Sequence, residues 1–168
     1  FLSAGNLSLT IPANSLVNSA GLFTAGIIKR QSLFIQKKGD FISLGMPTVS
    51  NGRLLISGGA YFNSLKNNNE SLQVAQGKTL EMHYNSFTTL YQGMKIFNGT
   101  EDAVSGFNWS LNTDTAFNKV FQSLNGYEVQ TNRLQWLQTA RYFDTSGIIL
   151  SSITLKLPNN YSNTNTGA

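Results

Sequence analysis

An all-β fold, mainly an antiparallel β-sandwich, is what this sequence predicts, and three observations predict it. Apolar runs are short and closely spaced, and Gly, Asn and Pro separate them, a rhythm of strands and turns rather than of helices. Only 12% of the residues are charged. The polarity comes instead from Asn, Ser, Thr, Gln and Gly, a mixture that disfavours long helices. The third observation is the stretch 53–62, Arg-Leu-Leu-Ile-Ser-Gly-Gly-Ala-Tyr-Phe. An apolar run this short, entered through the turn pair Asn51-Gly52, fits a strand buried on both faces. Gly58-Gly59 inside it marks a bulge, or a point where another backbone passes too close for a side chain. This is the expected central strand.

The other elements follow in chain order. Residues 7–11 alternate apolar and polar, as a half-buried strand does, and Pro12 ends them. Residues 27–36 form a longer strand whose Lys29-Arg30-Gln31 portion lies at an edge or faces water. A turn at 37–40 leads to a brief strand at 41–44, stopped by Gly45-Met46-Pro47. Beyond the central strand, 66–70 is a polar hairpin tip. Residues 72–75 and 79–84 read as a hairpin around Gln76-Gly77-Lys78, with Leu80, Met82 and Tyr84 on one face and Glu81 and His83 on the other. Short strands are expected at 93–97, closed by Asn98-Gly99-Thr100, and at 107–111, where Phe107, Trp109 and Leu111 are in phase. The helical candidate is 113–124, with Phe117, Val120, Phe121 and Leu124 at helical spacing and Asn112 or Thr113 as cap. Residues 127–131 return to alternation, 132–143 are aromatic-rich but irregular, and 148–157 make a final strand ended by Pro158.

A chain of 168 residues suffices for one domain with a substantial core. That domain is expected over 1–158, with 112–146 as a less regular appendage and 159–168 as a flexible tail or truncated linker. No repeat of fixed period marks a solenoid or propeller.

Composition removes several functions. Without cysteine there is no disulfide, thiolate metal site or cysteine nucleophile. No run approaches the roughly 18 apolar residues of a membrane-spanning helix, so no membrane span is expected. The net charge of +4 reflects scarce acids, because the basic residues are scattered apart from Lys29-Arg30 and Lys37-Lys38. Nucleic-acid binders cluster theirs, and no nucleic-acid partner is expected.

The motifs for chemistry are equally thin. His83 and Glu81 share a strand face, but two ligands are too few for a metal site. Ser57 lies outside any Gly-x-Ser-x-Gly motif, and a triad would have to recruit the single histidine, His83. Glu101-Asp102 lacks the EF-hand spacing. No two carboxylates can be paired from sequence for glycoside hydrolysis, and Gly21 to Gly26 bracket no phosphate-loop lysine. The expectation is a protein that is not an enzyme and needs neither metal nor cofactor. The remaining signal is aromatic. Most rings in a small β domain are core, but Trp136 stands in an irregular, polar stretch. With Tyr127 and Tyr142 it is the candidate ligand-binding set, a stacking platform for sugar.

Residues 5–16, Gly-Asn-Leu-Ser-Leu-Thr-Ile-Pro-Ala-Asn-Ser-Leu, resemble the opening of ZU5-like domains, the β-sandwich modules of ankyrins and netrin receptors. Residues 46–61, 93–99 and 127–143 resemble stretches of secreted or surface proteins of Bacteroidetes. In the last stretch Gln135 stands where that pattern has Gly, and Gln138 and Ala140 stand where it has Asn and Asp. The resemblance covers most of 5–158. It implies a ZU5-like or immunoglobulin-like sandwich in an exported protein, often a lipoprotein, secreted or anchored at the surface of a Gram-negative bacterium. Its partner would be a protein or a cell-surface polysaccharide.

Overall fold

The computed structural model describes residues 2–4, 6–87, 89–103, 106–144 and 146. Along them run β1 (Leu2–Ala4), β2 (Leu7–Thr10), β3 (Leu16–Val17), β4 (Lys29–Ile35), α1 (Lys38–Ser43), β5 (Val49–Ser50), β6 (Arg53–Asn67) and β7 (Glu70–Ser71). There follow β8 (Gln73–Val74), β9 (Leu80–Asn85), β10 (Lys95–Asp102), β11 (Gly106–Leu111), β12 (Lys119–Gln122), β13 (Gly126–Thr131) and β14 (Gln135–Tyr142). A five-stranded sheet has the order β1-β2-β9-β13-β12, and a seven-stranded sheet the order β11-β10-β14-β6-β4, with β5 and β7 also paired to β6. A small two-stranded sheet joins β3 to β8. The pairings are antiparallel throughout. The fold is all-β and sandwich-like.

Period-two patterning places the core. β9 alternates buried Leu80, Met82 and Tyr84 with exposed Glu81, His83 and Asn85. Its inward residues join Leu7, Leu9, Tyr127 and Val129 from the same sheet and meet Tyr61, Leu65, Ile96 and Leu137 from the other. Each fully buried leucine here contributes about 1.5–3 kcal/mol relative to exposure. The seven-stranded sheet is also covered in part on its outer side. There Ile35, Leu55, Ala60, Phe97, Trp109 and Ala140 pack with Phe41 of α1 and with Met46.

The expected central strand is β6. It runs through fifteen residues between β14 and β4. Its Gly-Gly pair is a bulge: Thr139 of β14 faces Gly59 and Ala140 faces Ser57, so Gly58 is the extra residue. What comes too close at Gly58 is side chain, not backbone. A Cβ there would lie 2.8 Å from Tyr127 Cε2 and 2.9 Å from Met94 Cε. A second forced glycine is Gly126, where a Cβ would run into the carbonyl of Tyr84.

Several expectations need correction. Residues 41–44 are not a strand; Phe41 belongs to the one helix of the described residues. Gly45 ends that helix at φ +63°, with Gly45 N–H donating to the Ile42 carbonyl at 3.0 Å and Met46 N–H to the Phe41 carbonyl at 2.9 Å. This is a Schellman closure, so the glycine signalled a helix end. The helix expected at 113–124 is absent. Asn112 and Asn118 build turns there, and Lys119–Gln122 pairs with β13. Phe121 and Leu124, counted toward the helix face, are 48% and 90% exposed. The hairpin expected around Gln76-Gly77-Lys78 does not form, because β8 pairs with β3 and β9 with β2 and β13. β10 runs straight through Asn98-Gly99-Thr100 instead of stopping there. The largest correction concerns 112–146, expected as a less regular appendage. It supplies β12 and β13 to one sheet and β14 to the interior of the other. The strand expected at 148–157 and the tail at 159–168 lie outside the described residues.

Candidate functional site

The three aromatic residues singled out in the sequence do not come together. Tyr127 points into the core between the sheets and is fully buried. Its hydroxyl accepts from Tyr91 N–H at 2.7 Å and donates to the Tyr91 carbonyl at 3.2 Å. Tyr142 and Trp136 lie on β14, six residues and roughly 20 Å apart. Tyr142 is held within the protein: the Arg53 guanidinium lies 3.9 Å from its ring centre, and Phe97 meets it edge-on at 5.4 Å. Its hydroxyl shares a hydrogen bond with Ser50 Oγ at 3.4 Å.

Trp136 keeps partial access to solvent, in company the sequence did not disclose. Register aligns Leu33 of β4 with Phe62 of β6, and Phe62 with Trp136 of β14. Next to Trp136 the row continues over Gly99, where a Cβ would meet Phe107 Cζ at 2.6 Å and Trp136 Cβ at 2.8 Å. The missing side chain lets Phe107 lean across to Trp136. Leu33, Phe62, Trp136 and Phe107 therefore form an apolar row across the outer side of the seven-stranded sheet, beyond the area that α1 covers. Leu33 is 45% exposed and the three rings are half-buried. The rings are not coplanar. Phe62 and Trp136 are tilted by 50° at 5.4 Å between centroids, and Phe107 stands at 90° to Trp136 at 6.1 Å.

His83 and Glu81 lie on the outer face of the five-stranded sheet, as their phase in β9 required. Their neighbours were hidden in the sequence. One row across the sheet runs Ser8, His83, Glu128, Phe121, and the next runs Thr10, Glu81, Gln130, Lys119. All of these except Lys119 line a shallow groove of about 510 Å³. Among the described residues no group of three His, Cys, Asp or Glu converges to hold a metal ion. Ser57, the serine beside the Gly-Gly pair, uses its Oγ to accept from Gly59 N–H at 3.1 Å. It belongs to the bulge. Glu101 and Asp102 lie in β10, not in a loop.

The phase of β9 foretold Glu81 and His83, but Glu128 and Gln130 needed the β9–β13 register. In the same way, Phe62 and Phe107 could be grouped with Trp136 only once β14 was placed between β6 and β10. Comparison with known protein families, with curated proteins and with solved structures finds no match.

Proposed function

We propose that this chain is a non-enzymatic interaction module of an exported bacterial cell-surface protein, and that it holds a protein partner on the outer side of its seven-stranded sheet. The observation that carries this reading is the apolar row Leu33, Phe62, Trp136 and Phe107. It keeps an exposed edge at Leu33 and partial exposure along its three rings, whereas α1 covers the neighbouring part of the same side. Tilted rings leave ridges and hollows into which a partner's side chains interdigitate, and aromatic residues of this kind concentrate binding energy at protein interfaces. A sugar platform at Trp136 would present rings more nearly parallel to the sheet. The exported setting, secreted or anchored at a Gram-negative surface, rests on the resemblance of residues 46–61, 93–99 and 127–143 to Bacteroidetes surface proteins and on the low charge of the chain.

The test is comparative capture from cell-envelope fractions, using the wild-type chain, Leu33→Asp and His83→Ala. A stoichiometric protein retained by wild type and His83→Ala but lost from Leu33→Asp supports the reading. Equal retention by Leu33→Asp, or retention of polysaccharide alone, refutes it.

A further inference from the structure

We infer that the outer face of the five-stranded sheet is a binding groove for a neutral oligosaccharide. This goes beyond the protein-partner reading, because it concerns the opposite side of the molecule and different residues.

The inference begins with side chains that have nothing to do within the fold. Among the described residues, the head groups of Glu81, His83, Glu128 and Gln130 make no hydrogen bond or ion pair. They nonetheless stand together, since register sets His83 opposite Glu128 and Glu81 opposite Gln130 on adjacent strands. Two carboxylates, an imidazole and an amide then offer acceptors and donors over two consecutive rows. Sugar hydroxyls, which both donate and accept, satisfy such a mixture. The carboxylates accept from hydroxyl pairs, and Gln130 does both.

Phe121 supplies the apolar component. It is 48% exposed and stands at the end of the row containing His83 and Glu128. A pyranose has one face of C–H groups, and an aromatic ring at the margin of a polar groove receives it. The groove's volume of about 510 Å³ falls within the range of small-molecule sites.

Charge selects a neutral ligand over an ionic one. Lys119, which faces Gln130 across the β12–β13 pairing, offsets one of the two carboxylates, so the two rows together carry little net charge. A strongly cationic or anionic chain would find no dominant field here. The groove is fitted to hold a glycan rather than to cut it. A glycosidase keeps one carboxyl protonated, commonly within apolar surroundings, whereas Glu81 and Glu128 are both exposed.

Affinity electrophoresis of the full 168-residue chain in gels containing soluble glucans, xylans, mannans or galactans tests this, with calorimetry on the matching oligosaccharides. At least one neutral glycan is expected to bind. Glu128→Gln, nearly isosteric and outward-facing, and Phe121→Ala are each expected to weaken binding tenfold or more, while Trp136→Ala leaves it unchanged. Absence of binding across the panel overturns the inference. So does binding that survives both groove substitutions, binding lost in Trp136→Ala, binding only of an oligolysine control, or release of new reducing ends from the glycan. Capture of a protein lost with Leu33→Asp reports separately on the other side of the molecule.

Discussion

Replacing Gly58 with alanine tests how the two sheets are held apart. The added Cβ would lie 2.8 Å from Tyr127 Cε2 and 2.9 Å from Met94 Cε, against an ordinary carbon–carbon separation of about 3.5–4.0 Å. Met94 can swing its terminal methyl aside. Tyr127 cannot, because its hydroxyl is bonded to the backbone of Tyr91 at 2.7 and 3.2 Å and its ring packs on Tyr84 at 5.8 Å between centroids. A retreat of roughly 1 Å would stretch the shorter bond beyond useful range, a loss of about 1 kcal/mol. Overpacking adds about 1–2 kcal/mol. The expected destabilisation is therefore about 2–3 kcal/mol, or roughly 4–12 °C in the thermal midpoint for a chain of this size. Urea unfolding followed by circular dichroism measures it, in a cycle with Tyr127→Leu, where the steric part should shrink and give a coupling of at least about 1 kcal/mol. A Gly58→Ala protein within about 0.5 kcal/mol of wild type would show that nothing at this position requires the glycine, and a destabilised variant with a strictly additive cycle would show that the ring beneath it is not the cause.

Two further outcomes are expected. Burial pushes the phenols of Tyr61 and Tyr84 well above their ordinary range and raises that of Tyr127. Below pH about 10 both folded and unfolded chains hold these protons, so the contribution is constant; above it the unfolded chain ionises and the folded one resists, so stability falls as pH rises. Tyr61 and Tyr84 together set a slope of roughly 3 kcal/mol per pH unit, which Tyr61→Phe should reduce by about half; phenolate absorbance from these rings while the protein remains folded would refute this. In acrylamide quenching, Trp136→Phe should remove most of the accessible emission and leave the fully buried Trp109; wild-type emission that resists the quencher as fully as that of the variant would mean the apolar row is covered.

The fold was legible wherever burial is one-sided. β9 and β13 each pack one face on the core and turn the other to water, so their alternation identified both as strands and, for β9, gave the inward residues. β6 was legible for a different reason: an apolar run bounded by a turn and broken by Gly-Gly has few other readings. β14 was illegible because it lies between β10 and β6, with Leu137 and Thr139 buried on one side and Gln138 and Ala140 on the other. A strand buried on both faces has no alternation to display, and polar Gln138 and Thr139 disguised its burial. The false helix arose from chance spacing. Val120 is turned inward to pair with Val129, while Phe121 faces out beside Glu128, and a four-residue edge strand is too short to contradict a helical pattern in the sequence.

The surfaces that bear function were less legible still, because each is a property of register. Sequence can say that Glu81 and His83 share a face; only the antiparallel pairing with β13 sets Glu128 and Gln130 against them. A shift of one residue in that pairing would bring Tyr127 and Val129 outward and bury Glu128 and Gln130. That shift is resisted by Tyr127, which is locked to Tyr91 and wedged under Gly58, and by Gly126, whose missing side chain admits the Tyr84 carbonyl. The buried tyrosine that sequence alone nominated as a contact for ligand thus acts from beneath. It fixes the phase of β13, and with it which side chains the five-stranded sheet presents to solvent.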